Sequence, residues 1–430
     1  MKPTLFSLLL FYNFTTVAQY IDGGNGHAII LDKNGHVWTM GRNNFGQLGD
    51  SSLNNSAMPK RVEQLKDIVA VSRGYDHSIA LNNKGELFLW GRNNYGRLGS
   101  ALVADIHVPN KIPGNNYAAV EGGHWHTVAL KKDGSVWAWG HNFYGELGNG
   151  SWEHSAWPVA VQEKINNECV PLAGVKQIAS VGYFTLALKE DGSVCSWGTN
   201  DWNELGYESD LIQPYARKIK NIPPMQQVAV GWHHAVGLDV NGNIWIWGSD
   251  PAYQVRESCS KKYDRPTKLN GLPKFTKIAC GSWHSLAIDE NKQVWACGKN
   301  HYGMCGTGDS ISHSLPLKIS SLENIVDVGG GCFESIAVNE SGKIFAFGDN
   351  PSGQLGNGKT GRCYFPTPMN LDMDGNLNPS TEMKIIAEKM VNAEHATVKS
   401  IIKYSLFVLS ILLNILLFLR LHRLKPRLAV

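Results

Sequence analysis

An all-β fold, a seven-bladed β-propeller closed by N- and C-terminal strands, is predicted by three observations in this 430-residue sequence. The first is a recurring phrase. Val136 to Gly148 reads VWAWGHNFYGELG, and it returns as VWTMGRNNFGQLG from Val37, LFLWGRNNYGRLG from Leu87 and VCSWGTNDWNELG from Val194, with looser copies from Ile244, Val294 and Ile344. The second is a fixed position upstream of each phrase, held by His27, His77, His126, Phe184, His234, His284 and Glu334, at spacings of 50, 49, 58, 50, 50 and 50. The third is a proline downstream of each phrase: Pro59, Pro109, Pro158, Pro214, Pro266, Pro316 and Pro366. Self-similarity at this period marks a repeat array whose units cannot bury their apolar faces alone.

Each unit reads as four short strands. An apolar inner strand is followed by a Gly-rich bend and the His position, then by a second strand. A turn such as Lys33-Asn34-Gly35 or Lys132-Asp133-Gly134 comes next; Asn-Gly and Asp-Gly suit tight hairpins because both tolerate positive φ. The third strand alternates with period two, as in Ser135-Val136-Trp137-Ala138-Trp139. The proline piece suits an outer, edge-like strand, since proline cannot donate to a ladder. Seven such units, closed radially, hide most sheet edges. The first inner strand (19–23) and the last proline strand (364–371) each lack a sequence neighbour and are expected to complete one blade together. The His series is expected to supply one structural hydrogen bond inside each blade; a catalytic site would be singular, whereas this position is sevenfold.

Composition narrows the function. A net charge of +3, with 18% charged residues, gives no reason to expect a nucleic-acid partner. The eight cysteines form no CxxC pair, so no zinc site is expected. Cys195, Cys297 and Cys305 stand where other units carry Trp137, Trp139 and Leu147, so they read as buried free thiols. No nucleophile–His–Asp constellation, phosphate-cradling loop or H-E-x-x-H is present. No hydrolytic or redox enzyme and no cofactor is expected.

Outside the repeats, residues 1–18 read as a secretory leader: Lys2, then an apolar run, then Thr16 and Ala18 at cleavage-site positions. The propeller takes 19–371. A polar turn and a charged, partly helical stalk occupy 372–400, and 401–419 is apolar apart from Lys403, Ser410 and Asn414. Nineteen residues at a helical rise span about 28 Å, close to a bilayer core. A basic tail, 420–430, follows. The expectation is a single-pass membrane protein. The leader and the basic tail favour an extracytoplasmic propeller; the core cysteines favour a cytosolic one. The residues leave the side open.

Function on a repeat scaffold belongs where repeats deviate. Candidate partner-binding residues are Trp152, His154 and Trp157 after the blade-three phrase; Glu163 and Glu168 in the extra residues of 162–174; Asp201 and Trp202 in the blade-four loop; and Asp250, Tyr253 and Arg256 in blade five, which loses the G-Q-L-G turn. Exposed Trp, Tyr and Arg are frequent interface anchors.

The pattern H-x-x-A-L … G-x-V-W-x-W-G-x-N-x-x-G-Q-L-G resembles the regulator of chromosome condensation repeat family over about residues 19–371. The resemblance implies seven blades. It also implies a protein partner, with guanine-nucleotide exchange on a Ran-type small GTPase as that family's best-known activity. By resemblance, the 162–174 insertion is the candidate wedge, and Asp201 and Asp250 are candidate face acids. The basic arm used for chromatin binding in that family is replaced here by a hydrophobic segment.

Overall fold

In the computed structural model, residues 21–101, 104–207, 211–249 and 262–377 are described. The chain divides into two compact units, Met1–Asn378 and Pro379–Val430, and the second lies wholly outside the described residues. So do the expected leader, the 401–419 span, the basic tail, and Asp250, Tyr253 and Arg256. No helix among the described residues is long and apolar enough to cross a membrane.

Seven sheets follow one another along the chain, each a blade built on four antiparallel strands that run in sequence order from axis to rim; blade four carries two more at its outer edge. Blade three shows the plan: Tyr117–Gly122, His126–Lys131, Val136–Gly140 and Ser155–Ala160. His126 lies opposite Gly140, and Gly140 opposite Ser155. That register places the bend before the His and the long loop after the Trp-Gly strand at the same end of the blade. One face of the ring therefore collects both loop sets from every blade.

The expectation of one shared blade is corrected. Ile21–Gly23 pairs with His27–Leu31 inside blade one, and Cys363–Asp372 pairs with Lys343–Gly348 inside blade seven. The ring closes by packing these two complete blades side by side. Ala28, Ile30 and Met40 meet Ile336, Leu355 and Met369 in one buried cluster. Beyond the last strand, the Lys33 amide donates to the Met373 carbonyl (2.9 Å) and Asn34 Nδ2 to the Asp374 carbonyl (2.9 Å). The physical reason is composition: Met373, Leu371 and Met369 carry enough apolar surface for a seam, so no strand exchange is needed.

The repeat phrase accounts for most of the remaining cohesion. Asn43, Asn93, Asn142, Asn200, Asn300 and Asn350 each turn their side-chain oxygen back to the amide five residues on, at 2.8–3.0 Å. Trp90, Trp139, Trp197 and Trp247 are fully buried. Their indole N–H groups donate to the Gln47, Arg97, Glu146 and Glu204 carbonyls of the preceding blade (2.8, 2.9, 2.9 and 2.9 Å). Burial of such a side chain is worth about 3–5 kcal/mol against alanine.

The His series also works between blades rather than inside them. Nε2 of His27, His77, His126, His234 and His284 meets the hydroxyl of Ser78, Thr127, Ser180, Ser285 and Ser335 in the next blade, at 2.7–3.3 Å. Ser78, Thr127 and Ser335 give their own protons to backbone carbonyls, so at those seams the imidazole must be the donor. Burial depresses the pKa of these rings, to about 3 for His27 and His284 and about 4 for His126 and His234. They are neutral rings. Their rings lie against the preceding glycine: a Cβ on Gly74 would stand 1.9 Å from His77 Cε1.

Cys195, Cys297 and Cys305 are buried, as expected of thiols at core positions.

Candidate functional site

The loop-rich face is lined by residues that the repeat does not dictate. Between the glycine and the His position stand Tyr75, His124 and Trp125, Tyr183, Trp232 and His233, Trp283, and Phe333. Most are half-buried, and all but Phe333, which meets Tyr302 (5.3 Å), join in one collar of ring contacts. His124 stacks on Trp125 (4.6 Å) and contacts Tyr75 (4.1 Å), Tyr183 (4.9 Å) and Trp232 (5.1 Å). Trp232 continues the chain of rings to Trp283 (5.4 Å). Outer loops add Tyr95 against Trp125 (5.7 Å) and Trp202 against His233 (5.8 Å). Phe143 and Tyr144 lie exposed at its margin.

Electrostatics divide the face. On the side of blades one and two, buried Asp76 accepts from Arg42 (3.5 Å) and Arg92 (3.2 Å), and both guanidiniums lie over Phe45. Burial lowers the pKa of His124 to about 3, so the ring at the centre of the collar is neutral. Lys299 sits over Trp283 (5.1 Å), its pKa lowered by burial.

The axis itself is plugged. Arg73 donates to Asp22 (3.1 Å) and to the Gly330 carbonyl (2.9 Å), tying blade two to blades one and seven. Ser72 donates to Glu121 (3.0 Å). The space between Arg73, Tyr75, His124, Trp232 and Cys332 is about 10 Å³, room for roughly one water. Burial holds Glu121 and Glu334 up at about 8. With room for about one water at the axis among the described residues, a larger partner has to lie across the face.

The residues singled out by sequence scatter around this geometry. Asp201 is exposed and Trp202 half-buried, both on the collar face. Asn203 takes φ 62° where five of the other phrases use glycine, so blade four keeps the turn. Trp152 is exposed in the blade-three loop. His154 Nδ1 accepts from the Asn142 amide (2.9 Å). The same job is done by Asn55, Asp105 and Ser312 elsewhere, so His154 fills a periodic cap; it also stacks on His141 (4.8 Å). Trp157 is exposed on an outer strand, at the pre-proline position that Val108, Leu315 and Phe365 fill in other blades.

The extra residues form a hairpin, Gln162–Ile165 with Glu168–Pro171. It adds to the outer strand of blade four and makes a six-stranded sheet. The insertion thus lies at the rim, away from the collar. Glu163 is buried within it and accepts from Lys189 (2.5 Å), whereas Glu168 is exposed. The collar residues before each His were missed in the sequence. Their signal was available: an aromatic follows the bend glycine within two residues in blades two to seven.

No metal cluster of three or more ligating side chains occurs among the described residues. The RCC1-like domain profile matches residues 103–398, and the RCC1 repeat profiles match 34–81, 19–47 and 68–97. No curated protein matches. Among solved structures, the chain is similar to human WBSCR16 at 23% identity and TM-score 0.67, covering 75% of this chain and 88% of that one. It is similar to Prp20p of Saccharomyces cerevisiae at 24% identity and TM-score 0.60, covering 72% and 80%. It is also similar to yeast RCC1 (Prp20) in its complex with Kap60, at 20% identity and TM-score 0.67, covering 86% and 91%. Identities this low speak to fold alone. The profile match over most of the ring carries more: this chain belongs to the RCC1-like domain family.

Proposed function

We propose that the ring is a membrane-tethered protein-interaction module that engages its partner across the aromatic collar. The carrying observation is the collar itself: contiguous half-buried rings over a plugged axis, at positions the blade architecture leaves free. Aromatic side chains offer large contact area at small ordering cost, and a rigid ring presents them pre-organised. The tether is the 401–419 segment. The test is capture of partners by the chain and by a Trp152→Ala/Trp202→Ala variant of unchanged melting temperature. Loss of the captured set supports the reading; an identical set overturns it. Deleting 401–430 should release the protein from carbonate-washed membranes, and retention would remove the tether.

A second reading, exchange on a small Ran-type GTPase, draws on the family and on Prp20p, whose structure was described together with its binding properties to Gsp1p and histones. Asp201 on the face and the inserted hairpin are its candidate parts. Release of fluorescent GDP from a Ran-type GTPase is the assay, and no acceleration by the chain would eliminate this reading.

A further inference from the structure

The inserted hairpin does more than widen blade four. Between it and the outer strand Ile212–Lys218 opens a cleft of about 530 Å³, lined by Lys164, Asn166, Asn167, Gln213, Tyr215 and Arg217. That volume lies in the range of ligand sites. Every lining side chain can donate a hydrogen bond, and none is a carboxylate. Lys164 reaches over the Tyr215 ring (5.7 Å) and Arg217 over Tyr207 (4.9 Å), and neither has an ion-pair partner among the described residues. The hairpin's own acids do not neutralise them: Glu163 is buried against Lys189, and Glu168 does not line the cleft. Elsewhere on the ring, surface lysines such as Lys60, Lys111 and Lys277 sit on carboxylates. Two cations over aromatic rings, with three amides around them, make a place for an anionic side chain.

We propose that this rim cleft binds an acidic peptide segment of a protein partner. The carboxylates would meet Lys164 and Arg217, with Asn166, Asn167 and Gln213 in reach of the peptide backbone. The inference rests on the reading of the ring as a protein-binding module, but it uses a different surface from the collar.

The probe is fluorescein-labelled hexaglutamate, followed by fluorescence anisotropy with the full chain at low salt. Binding is expected to weaken by about tenfold in Lys164→Glu/Arg217→Glu, and by a smaller factor in Lys164→Gln, which keeps the packing of Arg217 on Tyr207. Lys84→Glu/Lys132→Glu makes the same change in net charge on exposed lysines elsewhere and is expected to leave affinity within about twofold. No binding by the wild-type chain, or equal loss in both charge-reversal variants, would overturn the proposal. If charge reversal unfolds the ring, Lys164→Gln decides it: unchanged affinity overturns the cleft. Displacement by millimolar phosphate at constant ionic strength, as efficient as by unlabelled hexaglutamate, would also overturn it, since the site would then take free anions. A Trp152→Ala/Trp202→Ala chain that still binds hexaglutamate but captures no partner separates failure of the cleft from failure of the collar.

Discussion

Glu334 occupies the one His position that faces the closing seam, and its replacement by glutamine tests how that seam is held. The carboxyl is fully buried and lies against Gly23 of blade one. Burial raises its pKa from 4.5 to about 8, with Asp349 and Asp22 adding to the rise and Arg73 and the Phe333 amide opposing it. A carboxyl protonated more readily in the folded chain stabilises the fold fully below 4.5. That contribution is lost as pH rises through about 8. Each pH unit inside the window is worth 1.36 kcal/mol. Between pH 5 and pH 9 the wild-type ring should therefore weaken by about 4 kcal/mol relative to Glu334→Gln, as an upper bound. For a ring of this size, unfolding entropy converts that to about 5 °C. Melting followed by tryptophan fluorescence should give near-equal temperatures at pH 5 and a clear advantage for the variant at pH 9. Parallel curves would refute the account, because they would mean that the carboxylate is ionised in the folded state and satisfied by Arg73.

Three further outcomes follow from the seams. Gly74→Ala puts a Cβ into the His77 ring and should lower stability by more than about 3 kcal/mol. Gly271→Ala, with φ 77° but open space around it, should cost only about 1 kcal/mol, and equal melting losses would sink the distinction. Installing the missing pair between blades four and five, Phe184→His with Ala235→Ser, should show favourable coupling of about 1 kcal/mol in a double-mutant cycle; simple additivity would argue against it. In thiol titration of the native chain, exposed Cys169 should react ahead of Cys195, Cys297 and Cys305, which are buried, and rapid labelling of any of these three would contradict the core assignment.

Blade number, strand roles and the structural, non-catalytic part of the His series were legible because each is a property of the repeat. What could not be read inside one repeat was the direction of its bonds. The partner of each His lies one blade on, about 51 residues away, and only a comparison at that offset exposes it. The two positions that lack His make the point. Phe184 faces blade five, where Ala235 replaces the hydroxyl, and Glu334 faces blade one, where Ala28 does. Donor and acceptor are lost together. The shared closing blade failed for a related reason: an unpaired terminal strand in a sequence is unpaired only until the lateral seam is counted, and Met369, Leu371 and Met373 supply that seam. The hairpin was visible as extra length, but its rim position was not, since nothing local says which strand edge will accept it.

The way the phrase is used also limits where binding can evolve. Asn43 and Leu48 hold the phrase's own loop, and Gln47 and Trp90 and their copies are held in bonds or cores that join one blade to the next. Changing any of them weakens a seam and, through the ring, the registry of both neighbours. The residues between the bend glycine and the His are different. They sit one step from the strongest inter-blade bonds, so their backbone is fixed, yet their side chains point into no blade core. The outer strands are the second permissive place: blade four has already accepted two more strands there. A partner that uses both the collar and the rim of blade four would contact only positions that the fold does not need. That is the expected arrangement for a scaffold in which specificity changes while the ring does not.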